Sequence, residues 1–216
     1  MICDSLIFDM DGTLWDAVDS YVTVWNDTFA QLHIQDQAEP VTRQRLMGTM
    51  GKPLEEIVNI LIPHLKDKEG FLKVLDHNER VMMPTLKGLL YPHVTDTLAL
   101  LSRHLPLFLV SNCGSYGLQN FIAINKLTPY FRDALSHGDN GLSKAQNIKL
   151  IIDRHGLKHP YYVGDTQTDS DSARAAGAGM IWCRYGFGHD VTADYTIDSF
   201  DQLPRLVLDS GNPCAR

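Results

Sequence analysis

The stretch that decides the fold is "LIFDMDGTLWD", Leu6 to Asp16, close to the start of the chain. Its first residues form a short apolar run, which predicts a buried strand. The run ends in two carboxylates, Asp9 and Asp11, that are separated by one residue. Two such charges about 4 Å apart repel each other by roughly 4 kcal/mol at an effective dielectric near 20. We therefore expect a cation to offset this repulsion.

The overall composition indicates a globular protein with a hydrophobic core. The chain has 216 residues, of which 44% are hydrophobic and 21% are charged, and this length suits one domain or one domain with an insertion. The net charge of -7 argues against binding to nucleic acid or to acidic membranes. No segment approaches the roughly 20 apolar residues of a membrane span. Since a strand begins directly after Asp4, we expect no signal peptide and a cytoplasmic location.

The cysteines show none of the spacings that are typical of metal sites. There are four of them in the sequence, and none forms a C-x-x-C pair: Cys3, Cys113, Cys183 and Cys214. The pattern therefore predicts reduced thiols, and neither a zinc site nor a disulfide framework.

Residues 16–84 have the periodicity of helices. Apolar residues between Val18 and Leu32 recur at a spacing near 3.6 and predict an amphipathic helix. Pro40 and Pro53 stand where helices could begin. A further helix is predicted over Lys68 to Arg80, and no strand is predicted in this segment.

After Pro84 and Gly88 the pattern changes to an alternation of strands and helices. The predicted strands are "PLFLVSN", "DALSH", "PYYVGD", "GMIWCR" and "DYTI", and the predicted helices between them are Val94 to His104, Tyr116 to Asn125, Lys144 to His155 and Asp169 to Ala176. Such alternation predicts an α/β fold, with a Rossmann-like parallel sheet and helices on both faces. We expect a core domain from residues 1–15 and 85–216, and an inserted all-helical cap domain over 16–84.

Polar side chains follow the predicted strands at four places along the chain. They are Asp9 and Asp11, Ser111 and Asn112, Lys144, and Asp165 with Asp169. Any one of these groups alone is typical of a turn. Because ligands bind at the carboxyl ends of the strands in an open parallel sheet, the four groups together predict one site.

The acidic residues in this predicted site indicate a metal ion. Asp9, Asp11 and Asp165 follow neighbouring strands, and Asp169 lies one helical turn further on. Oxygen ligands without histidine or cysteine favour Mg²⁺, which is usually bound by one or two carboxylates and by phosphate oxygens of a substrate. The sequence therefore predicts a Mg²⁺ site that is shared with a phosphorylated ligand.

Lys144 and Ser111 supply donors that suit phosphate oxygens. Ser143 and Gln146 have the spacing of a capping box, which places Lys144 in the first turn of a helix. The N-terminus of a helix attracts anions. Lys149 lies further along the same helix, and we expect it to point away from the site.

Two aspartates and a metal ion can carry out phosphoryl transfer. An ionised carboxylate can attack phosphorus without a partner base and form an aspartyl phosphate. A second carboxylate can protonate the leaving alkoxide and then deprotonate the water that hydrolyses the intermediate. Positioning and charge neutralisation dominate the rest of such a reaction.

Four segments of the chain resemble, in order, the motifs of the haloacid dehalogenase superfamily. They are "DMDGTL", "SN", a lysine ahead of an apolar helix, and "GDTQTD". The helical segment after the first motif resembles the cap of the phosphoglycolate-phosphatase-like branch. The resemblance implies Asp9 as nucleophile and Asp11 as general acid and base. It implies that Thr13, Ser111, Asn112 and Lys144 bind phosphate, and that Mg²⁺ is held by Asp9, Asp11 (through its main-chain carbonyl), Asp165 and Asp169, the last directly or through water.

Three further positions bear on this resemblance. An aspartate at position 11 favours hydrolysis of phosphate esters over dehalogenation. His93 stands where a glycine is common in the family. In capped relatives a loop such as "GTMGKP", Gly48 to Pro53, faces the active site, so Lys52 is a candidate for substrate selection, with a solvated lysine as the alternative.

The sequence thus predicts a Mg²⁺-dependent phosphatase that acts on a small phosphorylated metabolite. One alternative is a sugar phosphomutase, which would use the same core and return the phosphoryl group to the substrate. The other is a non-catalytic protein that keeps the fold as a binding module. Release of free phosphate, formation of a positional isomer, or neither would distinguish the three.

Overall fold

The computed structural model of the chain describes residues 3–114 and 116–209. The strands are β1 (Ser5–Phe8), β2 (Trp15–Asp16), β3 (Leu89–Leu90), β4 (Leu107–Ser111), β5 (Phe131–Ser136), β6 (Pro160–Gly164), β7 (Gly179–Cys183) and β8 (Tyr195–Ile197). The helices are α1 (Val18–Gln31), α2 (Arg43–Met47), α3 (Leu54–Leu61), α4 (Lys68–Leu86), α5 (Val94–Leu101), α6 (Gly117–Ile124), α7 (His137–Asn140), α8 (Lys144–His155), α9 (Gln167–Ala176) and α10 (Leu203–Leu208). A short 3-10 helix, Phe200–Gln202, precedes α10.

Six of the strands form one parallel sheet in the order β5-β4-β1-β6-β7-β8. The chain runs outward from β1 through β4 and β5, and then crosses to the other side of β1 to form β6. The strand order therefore reverses at β1, and the carboxyl ends of β1, β4 and β6 meet there. The predicted parallel sheet is confirmed, and the reversal marks the place where such sheets bind ligands.

Alternating residues of the central strands pack on opposite faces of the sheet. Leu6 and Phe8 point into a core that is shared with α5, α6 and α10. Ile7, between them, points into a second core that is shared with α8 and α9. Because side chains alternate along a strand, a buried apolar run requires a layer on each face. The expected helices on both faces are therefore present.

Helices α1 to α4 come between β2 and β3 along the chain, and they pack against one another. Trp25 and Phe29 of α1 contact Phe71 of α4, with ring centroids 5.5 and 5.7 Å apart. β2 and β3 pair in antiparallel orientation, with Trp15 opposite Leu90. The two ends of this helical segment therefore lie side by side.

The structure corrects the predicted end of the last helix in this segment. α4 was predicted to stop at Arg80 but continues past Pro84 to Leu86. A proline inside a helix cannot donate to the carbonyl four residues earlier, which is that of Arg80. Asn120 Nδ2 donates to this carbonyl instead, at 3.4 Å. A contact from α6 thus replaces the hydrogen bond that the proline removes.

Other boundaries differ because they depend on contacts that are distant in sequence. α2 begins after the N-cap Thr42 and not at Pro40, whereas Pro53 is the N-cap of α3, where a helix was expected. The two-residue strands β2 and β3 and the one-turn helix α7 were not predicted. Elements this short have too few residues to show a period.

Within the described ranges, no helix is both long enough and apolar enough to cross a bilayer. Cys3, Cys113 and Cys183 are free thiols. The fourth cysteine, Cys214, lies outside the described residues.

Candidate active site

Asp9 and Lys144 meet at the carboxyl edge of the sheet, next to the end of β1. Asp9 follows β1 directly, and Lys144 is the first residue of α8. Lys144 Nζ lies 3.0 Å from Asp9 Oδ1 and 2.6 Å from Asp169 Oδ1. Both partners of the first pair are almost completely buried, at 2% exposure for Asp9 and 3% for Lys144. The lysine therefore bridges two carboxylates out of contact with bulk water.

Asp169 is held in place by the start of α9. Its Oδ2 accepts hydrogen bonds from the main-chain N–H of Asp165 and of Thr166 and from Thr166 Oγ1, at 3.1, 2.9 and 2.7 Å. Thr166 and Asp169 form a capping box. Since Oδ2 has three donors and Oδ1 contacts Lys144, Asp169 fixes the position of the lysine. The second aspartate of "GDTQTD" therefore caps α9 and at the same time orients Lys144.

Asp165 follows β6 and lies beside the other acidic side chains. Its Oδ2 accepts a hydrogen bond from Phe187 N at 2.7 Å, and Thr13 Oγ1 lies 3.5 Å from its Oδ1. Gly12 passes so close that a Cβ there would lie 2.1 Å from Asp165 Oδ2, and its φ is +79°. The glycine of "DMDGTL" therefore allows the first strand's loop to contact this carboxylate.

The acidic side chains raise one another's pKa values. Burial raises the pKa of Asp9, Lys144 lowers it and Asp169 raises it further. Burial followed by the charges of Asp169 and Asp9 holds the pKa of Asp165 well above its usual range. The site is thus short of positive charge, although Lys144 is part of it.

The geometry of these carboxylates fits a divalent cation. Asp9, Asp165 and Asp169 each offer a carboxylate oxygen, and these oxygens lie within 4.8 Å of one another. Together with Lys144 they leave two negative charges uncompensated when all are ionised. Asp9 Oδ1 is buried, and the Lys144 ammonium at 3.0 Å is its polar contact among the described residues. An all-oxygen donor set with this charge suits Mg²⁺.

Asp11 lies next to this group, but its carboxylate is held by a different partner. Trp15 Nε1 donates to Asp11 Oδ1 at 2.9 Å. Burial, together with the charge of Asp9, raises the pKa of Asp11 to about 8, and the Trp15 bond opposes this rise. A carboxyl group with such a pKa is protonated at neutral pH and can donate a proton.

The residues that follow β4 complete the floor of the site. Ser111 and Asn112 are buried at the end of the strand. Ser111 Oγ accepts a hydrogen bond from Cys113 N at 3.3 Å. Asn112 Nδ2 donates to the carbonyl of Gly51 at 2.8 Å, which joins the sheet to the loop of residues 48–53. Asn112 Oδ1 is buried and has no hydrogen-bond donor among the described residues.

A cleft with about 560 Å³ of space, part of it open to solvent, lies above these residues. Its floor contains Asp9, Asp11, Ser111, Asn112 and Lys144, and its roof is formed by residues of α1 to α4 and of the loop 48–53: Tyr21, Trp25, Leu46, Met50, Gly51, Lys52, Leu54, Ile57 and Glu79.

The lysines of the predicted site have different surroundings. Lys52 lines the cleft, but its ammonium pairs with Glu56 in the next turn of chain. Lys149 is exposed and pairs with Asp153, so it points away from the site as expected. The predicted capping box ahead of Lys144 is confirmed, with Gln146 N 3.3 Å from Ser143 Oγ and Ser143 N 2.9 Å from Gln146 Oε1.

Four contributors to the site were not found from the sequence. They are Trp15, Tyr21, Glu79 and the main-chain N–H of Phe187. The segment "RYGFG" around Phe187 carried a signal, since glycines flank the residue that approaches Asp165. No sequence pattern marked Glu79 as part of the site, because an acidic residue on a helix is normally solvated.

Comparison with known proteins identifies the family of this chain. The model of the haloacid dehalogenase-like hydrolases matches residues 6–183. A phosphoglycolate phosphatase of Aliivibrio fischeri is 29% identical over 219 residues, covering 92% of this chain and 93% of the relative. A phosphoglycolate phosphatase of Escherichia coli is 29% identical over 238 residues, with 93% and 91% covered.

Solved structures share the fold. The crystal structure of a predicted phosphoglycolate phosphatase from Haemophilus somnus superposes with a TM-score of 0.83 at 19% identity and covers 95% of this chain and 98% of its own. At this identity the likeness concerns the fold alone. Because the family model extends from β1 to β7 and includes the ends of β1, β4 and β6, the chain belongs to the haloacid dehalogenase-like hydrolase family.

Proposed function

We propose that this hydrolase is a Mg²⁺-dependent phosphatase of small phosphate monoesters and that it works through an aspartyl phosphate on Asp9. The observation that carries the proposal is the position of Asp9 on the floor of the cleft, between the Lys144 ammonium and the Asp165 carboxylate. A buried nucleophile beside one fixed cation and a divalent-cation site matches the needs of phosphoryl transfer.

In the first half of the proposed reaction, a carboxylate oxygen of Asp9 attacks phosphorus. The bond between phosphorus and the ester oxygen breaks, and the leaving alkoxide takes a proton from Asp11. The pKa of Asp11, raised to about 8 by burial and by Asp9, supports this role because the acid is protonated at neutral pH.

In the second half, water attacks the phosphorus of the aspartyl phosphate. Asp11, now ionised, takes a proton from this water, and the bond to the Asp9 oxygen breaks. Inorganic phosphate leaves, and both aspartates return to their first state. The same side chain thus acts as acid and then as base.

The phosphate would be bound by donors at the carboxyl edge of the sheet. Lys144 supplies a charge at the start of α8, and Ser111 and Asn112 lie on the same floor. Thr13, the other predicted donor, is buried beside Asp165. Asp169 acts as a positioning residue, since it holds the Lys144 ammonium at 2.6 Å. Lys52, the predicted contact from the roof, pairs with Glu56 and would have to leave this partner to reach the substrate.

The metal would be held by Asp9, Asp165 and the main-chain carbonyl of Asp11, with Asp169 near it. When bound, Mg²⁺ neutralises the carboxylates and the charge that develops on the phosphoryl oxygens. Such neutralisation supports attack by one anion on another, which the buried site otherwise disfavours.

We further propose that residues 16–84 act as a cap on a core of residues 1–15 and 85–216. The helices α1 to α4 form the roof of the cleft, and Gly51 contacts Asn112 on its floor. Closure of a cap excludes water from the reaction. The substrate is expected to be a small phosphorylated metabolite in the cytoplasm, where free thiols such as those of this chain are stable.

Release of phosphate from a panel of small phosphate monoesters tests this proposal. We expect hydrolysis by the wild type with Mg²⁺, loss of activity in excess chelator, and a fall of more than about a thousandfold in Asp9→Asn. Asp153→Asn, which removes an exposed carboxylate paired with Lys149, is the control and keeps full activity. Phosphate release that survives either the chelator or Asp9→Asn would contradict the proposal. A positional isomer in place of free phosphate would identify a mutase.

A further inference from the structure

The roof of the cleft has an unusual charge pattern for a site that binds an anion. Most of its side chains are apolar or aromatic. Its charged members among the described residues are Lys52 and Glu79. In the proposed function the phosphate binds at the floor, so the roof faces the leaving group of the substrate. These two residues therefore decide which charges the leaving group can carry.

Glu79 projects from α4 toward the floor. Its Oε2 lies 3.6 Å from the position that a Cβ on Gly114 would occupy, beside the residues that follow β4. Burial, then the charges of Asp76 and Asp11, raises the pKa of Glu79 to about 8. In the described part of the chain, no side chain or main-chain N–H donates a hydrogen bond to this carboxyl group, and no cation pairs with it. A half-buried carboxyl without a partner favours a ligand that supplies one.

The cleft offers no unpaired cation to a carboxylate on the leaving group. Its lining includes two lysines and, among the described residues, no arginine or histidine. Lys144 is held between Asp9 and Asp169, and the Lys52 ammonium pairs with Glu56. Glu79 provides no positive charge whether it is protonated or ionised. A leaving-group carboxylate would therefore lose its hydration without gaining a partner.

The rings in the roof favour the opposite kind of group. Tyr21 and Trp25 line the cleft together with Glu79. Aromatic faces attract cations, and a carboxyl group accepts hydrogen bonds from hydroxyl or ammonium groups. Hydroxyl and ammonium groups can both donate a hydrogen bond to Glu79, so the roof favours either of them.

We propose that the leaving group of the substrate presents a hydroxyl or ammonium donor to Glu79 and carries no carboxylate. This inference rests on the phosphatase function proposed above and specifies its substrate class. It also separates the chain from the phosphoglycolate phosphatases that it resembles in sequence, because their named substrate has a carboxylate on the leaving group.

Binding of three matched two-carbon phosphates tests the inference without turnover. They are 2-phosphoglycolate, 2-hydroxyethyl phosphate and O-phosphoethanolamine, which differ only in the terminal carboxylate, hydroxyl or ammonium. Calorimetric titration of Asp9→Asn protein with Mg²⁺ gives their affinities. We expect 2-phosphoglycolate to bind at least about tenfold more weakly than the tighter of the other two. Equal affinities, or no measurable binding of any of the three, would overturn the inference.

A substitution at Glu79 tests whether this residue is responsible. In an Asp9→Asn background, and at a pH about one unit above the raised pKa of Glu79, where this carboxyl is mostly ionised, Glu79→Gln keeps the size of the side chain, removes its charge and adds a donor. We expect it to improve the affinity for 2-phosphoglycolate relative to O-phosphoethanolamine by about tenfold. Glu69→Gln is the matched control on the same helix, since Glu69 is exposed and pairs with Lys73. An unchanged ratio in Glu79→Gln, or an equal change in Glu69→Gln, would refute the role of Glu79.

Phosphate release by the wild type then distinguishes the two proposals. Selective binding without hydrolysis of any ester would overturn the phosphatase function and leave the selectivity of the roof in place. Hydrolysis of 2-phosphoglycolate at the highest kcat/KM of the three would support the phosphatase function and overturn the selectivity of the roof. Comparing the hydroxyl and ammonium compounds identifies which donor the substrate carries.

Discussion

The carboxylate of Asp11 is held on the side of the cleft by the indole of Trp15. The hydrogen bond of 2.9 Å stabilises the ionised form and therefore lowers the pKa of Asp11, against burial and the charge of Asp9. Trp15 also packs on Phe121, with ring centroids 4.9 Å apart. The same tryptophan thus orients the proposed acid and joins it to the core below.

Trp15→Phe keeps a ring in this position and removes the donor. We expect kcat to fall by about tenfold, since a hydrogen bond to a charged group contributes roughly 1.5–3 kcal/mol. Without the donor the pKa of Asp11 rises, and the first step needs Asp11 protonated. The alkaline limb of the kcat profile therefore moves to higher pH, which steady-state assays across the pH range would measure.

Trp25→Phe is the matched control for this substitution. Trp25 is a buried tryptophan that also lines the cleft, but its ring packs on Phe71. We expect it to change KM and to leave the alkaline limb in place. An equal shift in both variants, or no shift in Trp15→Phe, would show that the indole N–H does not act on Asp11.

Some residues of the site could be predicted individually and others could not. Asp9, Ser111 and Asp165 were found because strand ends in a parallel sheet meet at one edge, whatever the distance along the chain. Glu79 was missed because its burial depends on how α4 packs over the floor. Phe187 contributes a main-chain N–H, which is independent of its side chain, so the glycines on either side of it were the signal in the sequence.

At the scale of single elements, the start of α5 is strained. His93 is the residue before the helix and has a φ of +67°, and its side chain makes no capping hydrogen bond. Residues other than glycine pay roughly 1–2 kcal/mol in this left-handed region. A glycine, which the family resemblance implies at this position, would adopt this conformation without strain.

We predict that His93→Gly stabilises the protein. The relief of strain exceeds the entropy that glycine adds to the unfolded chain, so the free energy of unfolding should rise by about 0.5–1 kcal/mol. Urea denaturation followed by circular dichroism would measure it. His104→Gly is the control, because His104 is exposed and its φ is not positive. A gain in the control, or a loss in His93→Gly, would contradict this account.

The helices and strands that were predicted well are those with a long hydrophobic period. α1 and α8 each bury one face and the central strands bury both, and this burial fixes the pattern of their sequences. The end of α4 was placed wrongly, because Pro84 normally ends a helix unless another group satisfies the carbonyl that it frees. Asn120 provides that group, and no local pattern could show it.

At the scale of the whole molecule, the loop 48–53 connects the roof of the cleft to its floor. Gly51 accepts a hydrogen bond from Asn112 and has a φ of +83°. A Cβ there would lie 3.1 Å from Thr166 Oγ1, next to the capping box that holds Asp169. The approach of the roof to the site therefore depends on a residue without a side chain.

Gly51→Ala is expected to hinder closure over the substrate. The added methyl group pushes the loop away from Thr166, so KM should rise by about threefold to tenfold, with a smaller change in kcat. Gly177→Ala is a close control, since Gly177 has the same φ of +83° and no atom within 4 Å of an added Cβ. Both variants lose stability from backbone strain, and only Gly51→Ala should change KM. An equal change in KM would mean that strain alone is responsible.

The two-residue strands β2 and β3 have a consequence for how such proteins can evolve. Since Trp15 and Leu90 are paired, the helical segment leaves and rejoins the rest of the chain at one point. Recombination that exchanged the helices between β2 and β3 would place a different roof over an unchanged floor of the cleft. Selection could therefore change the substrate of the enzyme without changing its catalytic residues. Two lineages with the same nucleophile would then act on different substrates.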